Sequence, residues 1–238
     1  MTELKEKNAW GVIFDMDGVL VDSYQAHLSA FQRMLANYDL EMSETQFASI
    51  FGRTNPDIFA LLYPELKHED YARLSEEKEA AYREIIADNF PQMDGAGELI
   101  EALHSAGAIL AIGSSGSLEN IRTVLRMLPG GEYIRATTHA NEITRGKPDP
   151  EVFLNAAGKI GISPAECVVV EDAPMGVKAG KAAGCAVIGI TGTVSRRHLA
   201  EADLVVESLR DLTPAILLNL IRSNSIVVAD DAKKTHDS

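Results

Sequence analysis

The chain has 238 residues, 46% hydrophobic and 24% charged, which excludes collagen-like, disordered and disulfide-scaffold classes and leaves one large globular domain, or one carrying a smaller one. Its 35 acidic residues outnumber 22 basic ones for a formal net charge of −13, so neither nucleic acid nor a membrane surface is an expected partner. Cys167 and Cys185 each lie in or beside an apolar run and read as small core residues of a reduced, cytoplasmic protein. The polar opening Met1 to Asn8 lacks a signal-peptide core, and no apolar run reaches the roughly 18 residues that span a bilayer.

The first predicted element is a short β-rich run, Gly11 to Phe14, that ends in Asp15. About 75 residues without a convincing strand follow, too many for a loop, and they read as a helical insertion. Ser23 to Tyr38 carries Tyr24, Leu28, Phe31, Leu35 and Tyr38 on one stripe; Ser43 to Gln46 has capping-box spacing; Asn55-Pro56 reads as an N-cap followed by proline at the first helical position. A fourth helix is expected from about His68 to Ala87. The insertion is therefore an all-α second domain over 22–92, set into a core domain of 1–21 and 93–223, with 224–238 as a flexible tail.

From Ala96 onward helices and buried strands alternate. Helices are predicted over Ala96 to Ser105, Leu118 to Leu128, Pro150 to Lys159 and Pro174 to Ala183, with Gly107, Gly161 and Gly184 as stops. Strands are predicted over Ile109 to Ile112, Ile134 to Thr138, Cys167 to Val170, Ala186 to Ile190 and Leu204 to Val206. Such alternation gives an α/β fold, a parallel sheet with helices on both faces and a ligand site beyond the carboxyl ends of its strands.

Four of those strand ends carry chemistry-bearing residues. The first ends in Asp15-Met16-Asp17-Gly18, two carboxylates that would otherwise be a turn with an accidental neighbour; the second in Gly113-Ser114-Ser115-Gly116-Ser117, which alone would read as a serine N-cap. Gly146-Lys147-Pro148-Asp149-Pro150 fixes a lysine just before a helix, with Asp149-Pro150 as its N-cap and first turn. The strand from Cys167 leads into Glu171-Asp172, a second acidic pair. Gathered in one crevice, these residues describe a metal-assisted phosphoryl site. Clustered carboxylates call for a hard cation such as Mg²⁺, and there is no His or Cys grouping for zinc. A carboxylate approaching a phosphate dianion meets repulsion of roughly 4 kcal/mol per unit-charge pair at about 4 Å and an effective dielectric near 20, which Mg²⁺ and Lys147 offset. Two other motifs fail. Gly176 to Lys181 has P-loop glycines one residue too close and Ala182 in place of Ser or Thr, and Gly113-Ser114-Ser115 puts Ser117 at the second glycine of a nucleophile elbow.

In order and spacing these four segments resemble the four motifs of the haloacid dehalogenase superfamily of phosphohydrolases, over about residues 11 to 206. The resemblance implies a Rossmann-like core with an inserted helical cap, as in the subgroup holding β-phosphoglucomutase and phosphoglycolate phosphatase. By that likeness Asp15 is the nucleophile that becomes an aspartyl phosphate, and Asp17 protonates the leaving oxygen and then activates the attacking group. The likeness assigns Mg²⁺ to Asp15, the Asp17 backbone carbonyl and Asp172, with Glu171 either a ligand or a partner of the ligands. Ser114 and Lys147 would hold the phosphoryl group. Retention of Asp17 disfavours dehalogenase, phosphonatase and ion-pump chemistries, whose members carry another residue there.

The cap is expected to select the substrate. Tyr71, Leu74, Lys78, Ala81 and Ile85 form one stripe on the fourth cap helix, which puts Lys78 among apolar residues and predicts that it points to the cleft, unless its stem merely snorkels. His27 lies between Tyr24 and Phe31, and Gly52-Arg53-Thr54 makes a polar turn. In β-phosphoglucomutase a histidine, an arginine and a lysine occupy matching positions, but Ser117 here stands where the mutase has a lysine. The expected activity is a Mg²⁺-dependent phosphatase of a small phosphorylated metabolite, a sugar phosphate or phosphoglycolate-like; a monomer is favoured, although the sequence itself is silent on oligomeric state. The alternative is a phosphosugar mutase using the same aspartyl phosphate.

Overall fold

The structure, a computed structural model, describes residues 9–51 and 53–234, with side chains as far as Asn224. The polar opening Met1 to Asn8, Gly52 of the predicted turn and the last four residues of the expected tail lie outside the described residues. The chain divides into two compact units, residues up to Val21 together with those from Gln92 onward, and Asp22–Pro91.

In the first unit six strands, β1 (Gly11–Phe14), β2 (Ile109–Gly113), β3 (Ile134–Thr138), β4 (Cys167–Glu171), β5 (Ala186–Ile190) and β6 (Leu204–Val206), form a sheet in the order β3-β2-β1-β4-β5-β6. Every neighbouring pair is parallel, and Phe14 sits opposite Ile112 of β2 and Val170 of β4. The order runs outward in one direction from β1 to β3 and in the other from β4 to β6. Because crossover connections are right-handed, the helices of this unit that lie between β1 and β3 cover one face and those between β3 and β5 the other. The crevice where the order reverses opens beyond the ends of β1 and β4, the place where such sheets bind ligands.

The second unit holds α1 (Tyr24–Ala36), α2 (Glu44–Ile50), α3 (Asn55–Leu62) and α4 (Tyr71–Asp88). Phe31, Met34, Leu35, Phe47, Phe59, Tyr71 and Leu74 share its core, in which Tyr24, Phe31, Phe47 and Phe51 pack in tilted and edge-on pairs at 5.0–6.0 Å between ring centroids. Ser43 and Gln46 make the expected reciprocal cap of α2. The cap of α3 is different from the expectation. Thr54 is the N-cap and accepts from the Asp57 amide, while Asn55 is already helical and its amide donates to Glu79 across the unit. A reciprocal bond from the Thr54 hydroxyl to Asp57 explains why threonine takes the cap. On α4 the buried stripe continues through Tyr82 and Ile86, with Ile85 only half-buried, because a straight helix of 3.6 residues per turn drifts away from a 3-4-3-4 count.

The sheet unit continues with α5 (Ala96–Ser105), α6 (Leu118–Met127), α7 (Glu151–Ile160), α8 (Pro174–Ala182) and α9 (Pro214–Lys234). Val152, Phe153, Ala156 and Ala157 of α7 and Val177 and Ala179 of α8 cover Ile13, Ala111, Val169 and Val187 on one face of the sheet. Pro150, expected in the first helical turn, is the N-cap of α7, and Asp149 accepts from the Glu151 amide. α9 runs past Asn224, where a flexible tail was expected. Cys167 and Cys185 are free and buried in the core, where burial raises both thiols, Cys185 to about 12. Among the described residues no helix is long and apolar enough to cross a membrane.

Candidate active site

Asp15 is the first residue beyond β1, and its amide still donates to Val170 of β4 at 2.9 Å, so the ladder that holds the strand also fixes this carboxylate. The chain then turns within one step: Leu20 and Val21 amides return to the Met16 carbonyl, and Gly18, at φ +75, donates to Val21. A Cβ at position 18 would lie 2.0 Å from Asp172 Oδ2, so only glycine lets the carboxylates following β1 and β4 come together.

Lys147 joins the two strand ends directly. Its Nζ lies 2.6 Å from Asp15 Oδ1 and 2.5 Å from Glu171 Oε1, and it stands 4.9 Å from the centre of the Phe153 ring. The other oxygen of Glu171 accepts from the Ala173 amide at 2.8 Å. A Cβ at position 176 would lie 1.7 Å from Glu171 Oε1, and one at 180 would crowd Val187 and Val169. The glycines of the failed P-loop pattern are thus explained by the packing of α8 on β4 and β5.

Oxygens of Asp15, Glu171 and Asp172 all lie within 4.8 Å of one another, and all three residues are buried. One ammonium faces three carboxylates. Burial first, then Glu171 and Asp17, push Asp15 up to about 7 against the pull of Lys147. Burial, Glu171 and Asp15 push Asp172 well above the usual carboxylate range. Burial opposes the charge on Lys147, but Asp15 and Glu171 hold it above the ordinary lysine value. A set of hard oxygen donors carrying an uncompensated buried negative charge fits a divalent cation of the Mg²⁺ type. The Asp17 side chain is not a member of this group.

Ser114 is buried one residue past β2, its amide donating to Thr138 of β3 and its hydroxyl accepting from the Gly116 amide, each at 3.0 Å. The Gly116 position is bordered by Ser114 Oγ at 3.2 Å and Asp17 Oδ2 at 4.0 Å from where its Cβ would stand, so the loops after β1 and β2 meet. Ser117 instead caps α6, accepting from the Asn120 amide.

The structure therefore brings Asp15, Lys147, Glu171 and Asp172 into one cluster, with Asp17 and Ser114 meeting at Gly116 beside Asp15. His27, Arg53 and Lys78 lie in the other unit. Lys78 is buried there rather than snorkelling, 2.8 Å from His27 Nδ1, 2.9 Å from Glu79 and beneath the rings of Phe31 and Tyr82. His27 stacks on Tyr82 at 4.0 Å, and Arg53 is exposed. One contact to the site escaped the sequence reading. The Thr193 hydroxyl, in the loop after β5, lies beside Asp172 Oδ2, both bordering the Gly18 position. Its signal was available, since Thr191-Gly192-Thr193 follows a buried strand just as the serine and glycine run follows β2.

The description haloacid dehalogenase-like hydrolase matches residues 12–190. Hexitol phosphatase A of Escherichia coli (strain K12) is 36% identical over 217 residues, covering 85% of this chain and 93% of that protein. Beta-phosphoglucomutase of Bacillus subtilis (strain 168) is 29% identical over 214 residues, covering 87% and 92%. The crystal structure of beta-phosphoglucomutase from Clostridium difficile shares the fold, with a TM-score of 0.78 at 23% identity over 92% of this chain and 99% of that one. Since the match runs from β1 to the end of β5 and takes in every strand end that carries the cluster, this chain belongs to the haloacid dehalogenase-like hydrolases.

Proposed function

We propose that this phosphoric monoester hydrolase removes phosphate from a small sugar or polyol phosphate through a covalent phosphate ester of Asp15. The observation that carries the reading is Lys147 bonded at once to Asp15 and Glu171, with Asp172 beside them. Asp15 attacks phosphorus as the ester oxygen departs. Asp17 gives that oxygen its proton, then takes one from the water that releases the phosphate. Ser114 and Lys147 hold the phosphoryl oxygens where charge is greatest in the transition state. Asp15, Asp172 and the Asp17 carbonyl would hold a Mg²⁺ ion, which when bound would supply the charge that lets an anionic carboxylate meet an anionic phosphate. Glu171, with both oxygens engaged, serves as the anchor of Lys147.

The relationship to hexitol phosphatase supports a polyol or sugar phosphate as substrate. The use of Ser117 as a helix cap favours hydrolysis over mutase transfer. Incubation with a panel of hexitol and hexose phosphates, reading both released phosphate and phosphosugar isomers, is expected to give phosphate. Glucose 6-phosphate formed from β-glucose 1-phosphate with a bisphosphate primer would make the enzyme a mutase, and no reaction with any member would remove the reading.

His27, Arg53 and Lys78 are proposed to select the alcohol portion of the substrate. Lys78→Met keeps a side chain of similar length and removes the ammonium that stands over Phe31 and Tyr82. It is expected to raise KM for the best panel substrate about 10-fold or more, the loss of one charged hydrogen bond of roughly 1.5–3 kcal/mol. Turnover of p-nitrophenyl phosphate should stay within about threefold. An unchanged KM for every good substrate would remove Lys78 from recognition.

A further inference from the structure

Asp172 stands apart from its acidic neighbours in how it is held. Lys147 bonds to Asp15 and Glu171, whereas Asp172 Oδ2 has beside it the Thr193 hydroxyl, from the loop after the next strand over. The loop that delivers it is tied down before it turns: the Thr191 amide donates to Val206 of β6 at 3.0 Å, and Gly192, at φ 141, takes a backbone conformation that side chains rarely permit. Thr193 Oγ1 then arrives 2.8 Å, and Asp172 Oδ2 2.0 Å, from the point where a Cβ of Gly18 would stand. Loops from three adjacent strands, β1, β4 and β5, thus converge on one carboxylate oxygen.

We infer that Thr193 is a positioning residue for Asp172, fixing the direction of its carboxylate so that the site is pre-formed for a divalent cation of the Mg²⁺ type. The inference rests on the proposed cation reading of the acidic cluster. The residue type suits the task. A buried carboxylate packed against two others is repelled by both and needs a tether, yet a cationic tether would neutralise the charge that the ion requires. A hydroxyl donates one bond and leaves the full negative charge in place. Thr193 is itself exposed, so replacing it opens no cavity.

The test is Mg²⁺ binding by isothermal titration calorimetry to the full chain, freed of metal by chelation and gel filtration, with thermal denaturation as a check on folding. Thr193→Val keeps the shape and removes the donor, and it is expected to weaken Mg²⁺ about 10- to 100-fold. Thr193→Ser keeps the hydroxyl and is expected to bind within about threefold of the unmodified protein. Asp172→Asn, which removes the ligand itself, should abolish measurable binding. If Asp172→Asn loses Mg²⁺ while Thr193→Val retains it, or if Thr193→Ser falls as far as Thr193→Val, the role of Thr193 is overturned and the cation reading survives. If all variants bind Mg²⁺ as the unmodified protein does, the cation reading itself fails.

Discussion

Asp15→Asn is expected to reduce phosphate release from p-nitrophenyl phosphate by about 10⁴-fold or more, with no loss of thermal stability at pH 8. The two halves of this outcome come from one feature. The amide oxygen of asparagine still accepts from Lys147 but is too weak a nucleophile to take a phosphoryl group, so the covalent route closes. Ionised Asp15, meanwhile, is a burden on the fold. Burial and the neighbouring carboxylates raise its native pKa to about 7, while the unfolded chain has the ordinary value near 4. Between those values the folded state binds more protons than the unfolded one, so this group's contribution to stability falls as pH rises and is fully unfavourable above about 7. Replacing it with a neutral isostere removes that cost. Turnover at the unmodified rate would end the nucleophile assignment, and a large drop in melting temperature at pH 8 would show that the Lys147 bond outweighs the repulsion.

The second large effect is on stability. Lys147→Met, matched in length and apolar character to the lysine stem, leaves Asp15 and Glu171 facing each other without the ammonium that lies between them. Removing one partner of a buried ion pair costs roughly 3–5 kcal/mol, and the variant is expected to lose several degrees in melting temperature at pH 8 in the presence of chelator. The loss should shrink on acidification. Without Lys147 the pKa of Asp15 moves further above 7, so a proton takes the place of the ammonium as pH falls through that value. Urea denaturation at pH 5.5 and pH 8 checks the sign, because the gap between Lys147→Met and the unmodified protein must widen with rising pH. A gap independent of pH would mean that the lysine acts by packing on Phe153 and not by charge. Phosphatase activity is expected to fall about 10²- to 10³-fold as well, the effect of losing one donor to a transition-state oxyanion.

The strands were readable to within a residue because β1, β4 and β5 are fully buried and all six sit in a parallel sheet, where side chains on both faces of the central strands must be apolar and a short β-branched run has few other uses. The site was readable for a related reason: a carboxylate placed straight after such a run has no hydrophobic explanation. Where the reading slipped, two groups competed for one task. Thr54 and Asn55 are both capping residues, and contacts beyond the pair, Thr54 with Asp57 and the Asn55 side-chain amide with Glu79, decide between them. Lys78 was correctly placed on the apolar stripe of α4, but its partner His27 is 51 positions away in the chain, and no local pattern announces a contact of that range. Thr193 was passed over because the hydroxyl and glycine signature was sought after β2 and not after β5. The distance at which Gly176 meets Glu171 is also silent in sequence, where a glycine in a helix looks the same whether it is tolerated or required.

The insertion departs and returns at one place. Val21 and Gln92 pair as an antiparallel bridge, and Asp22 donates to the Pro91 carbonyl at 2.8 Å. A segment whose two ends are already joined by backbone bonds can be lengthened, exchanged or pared back without rethreading the strands on either side. Evolution can therefore try new recognition modules on a fixed reaction centre, one graft at a time, and an engineer can do the same by splicing between residues 21 and 92.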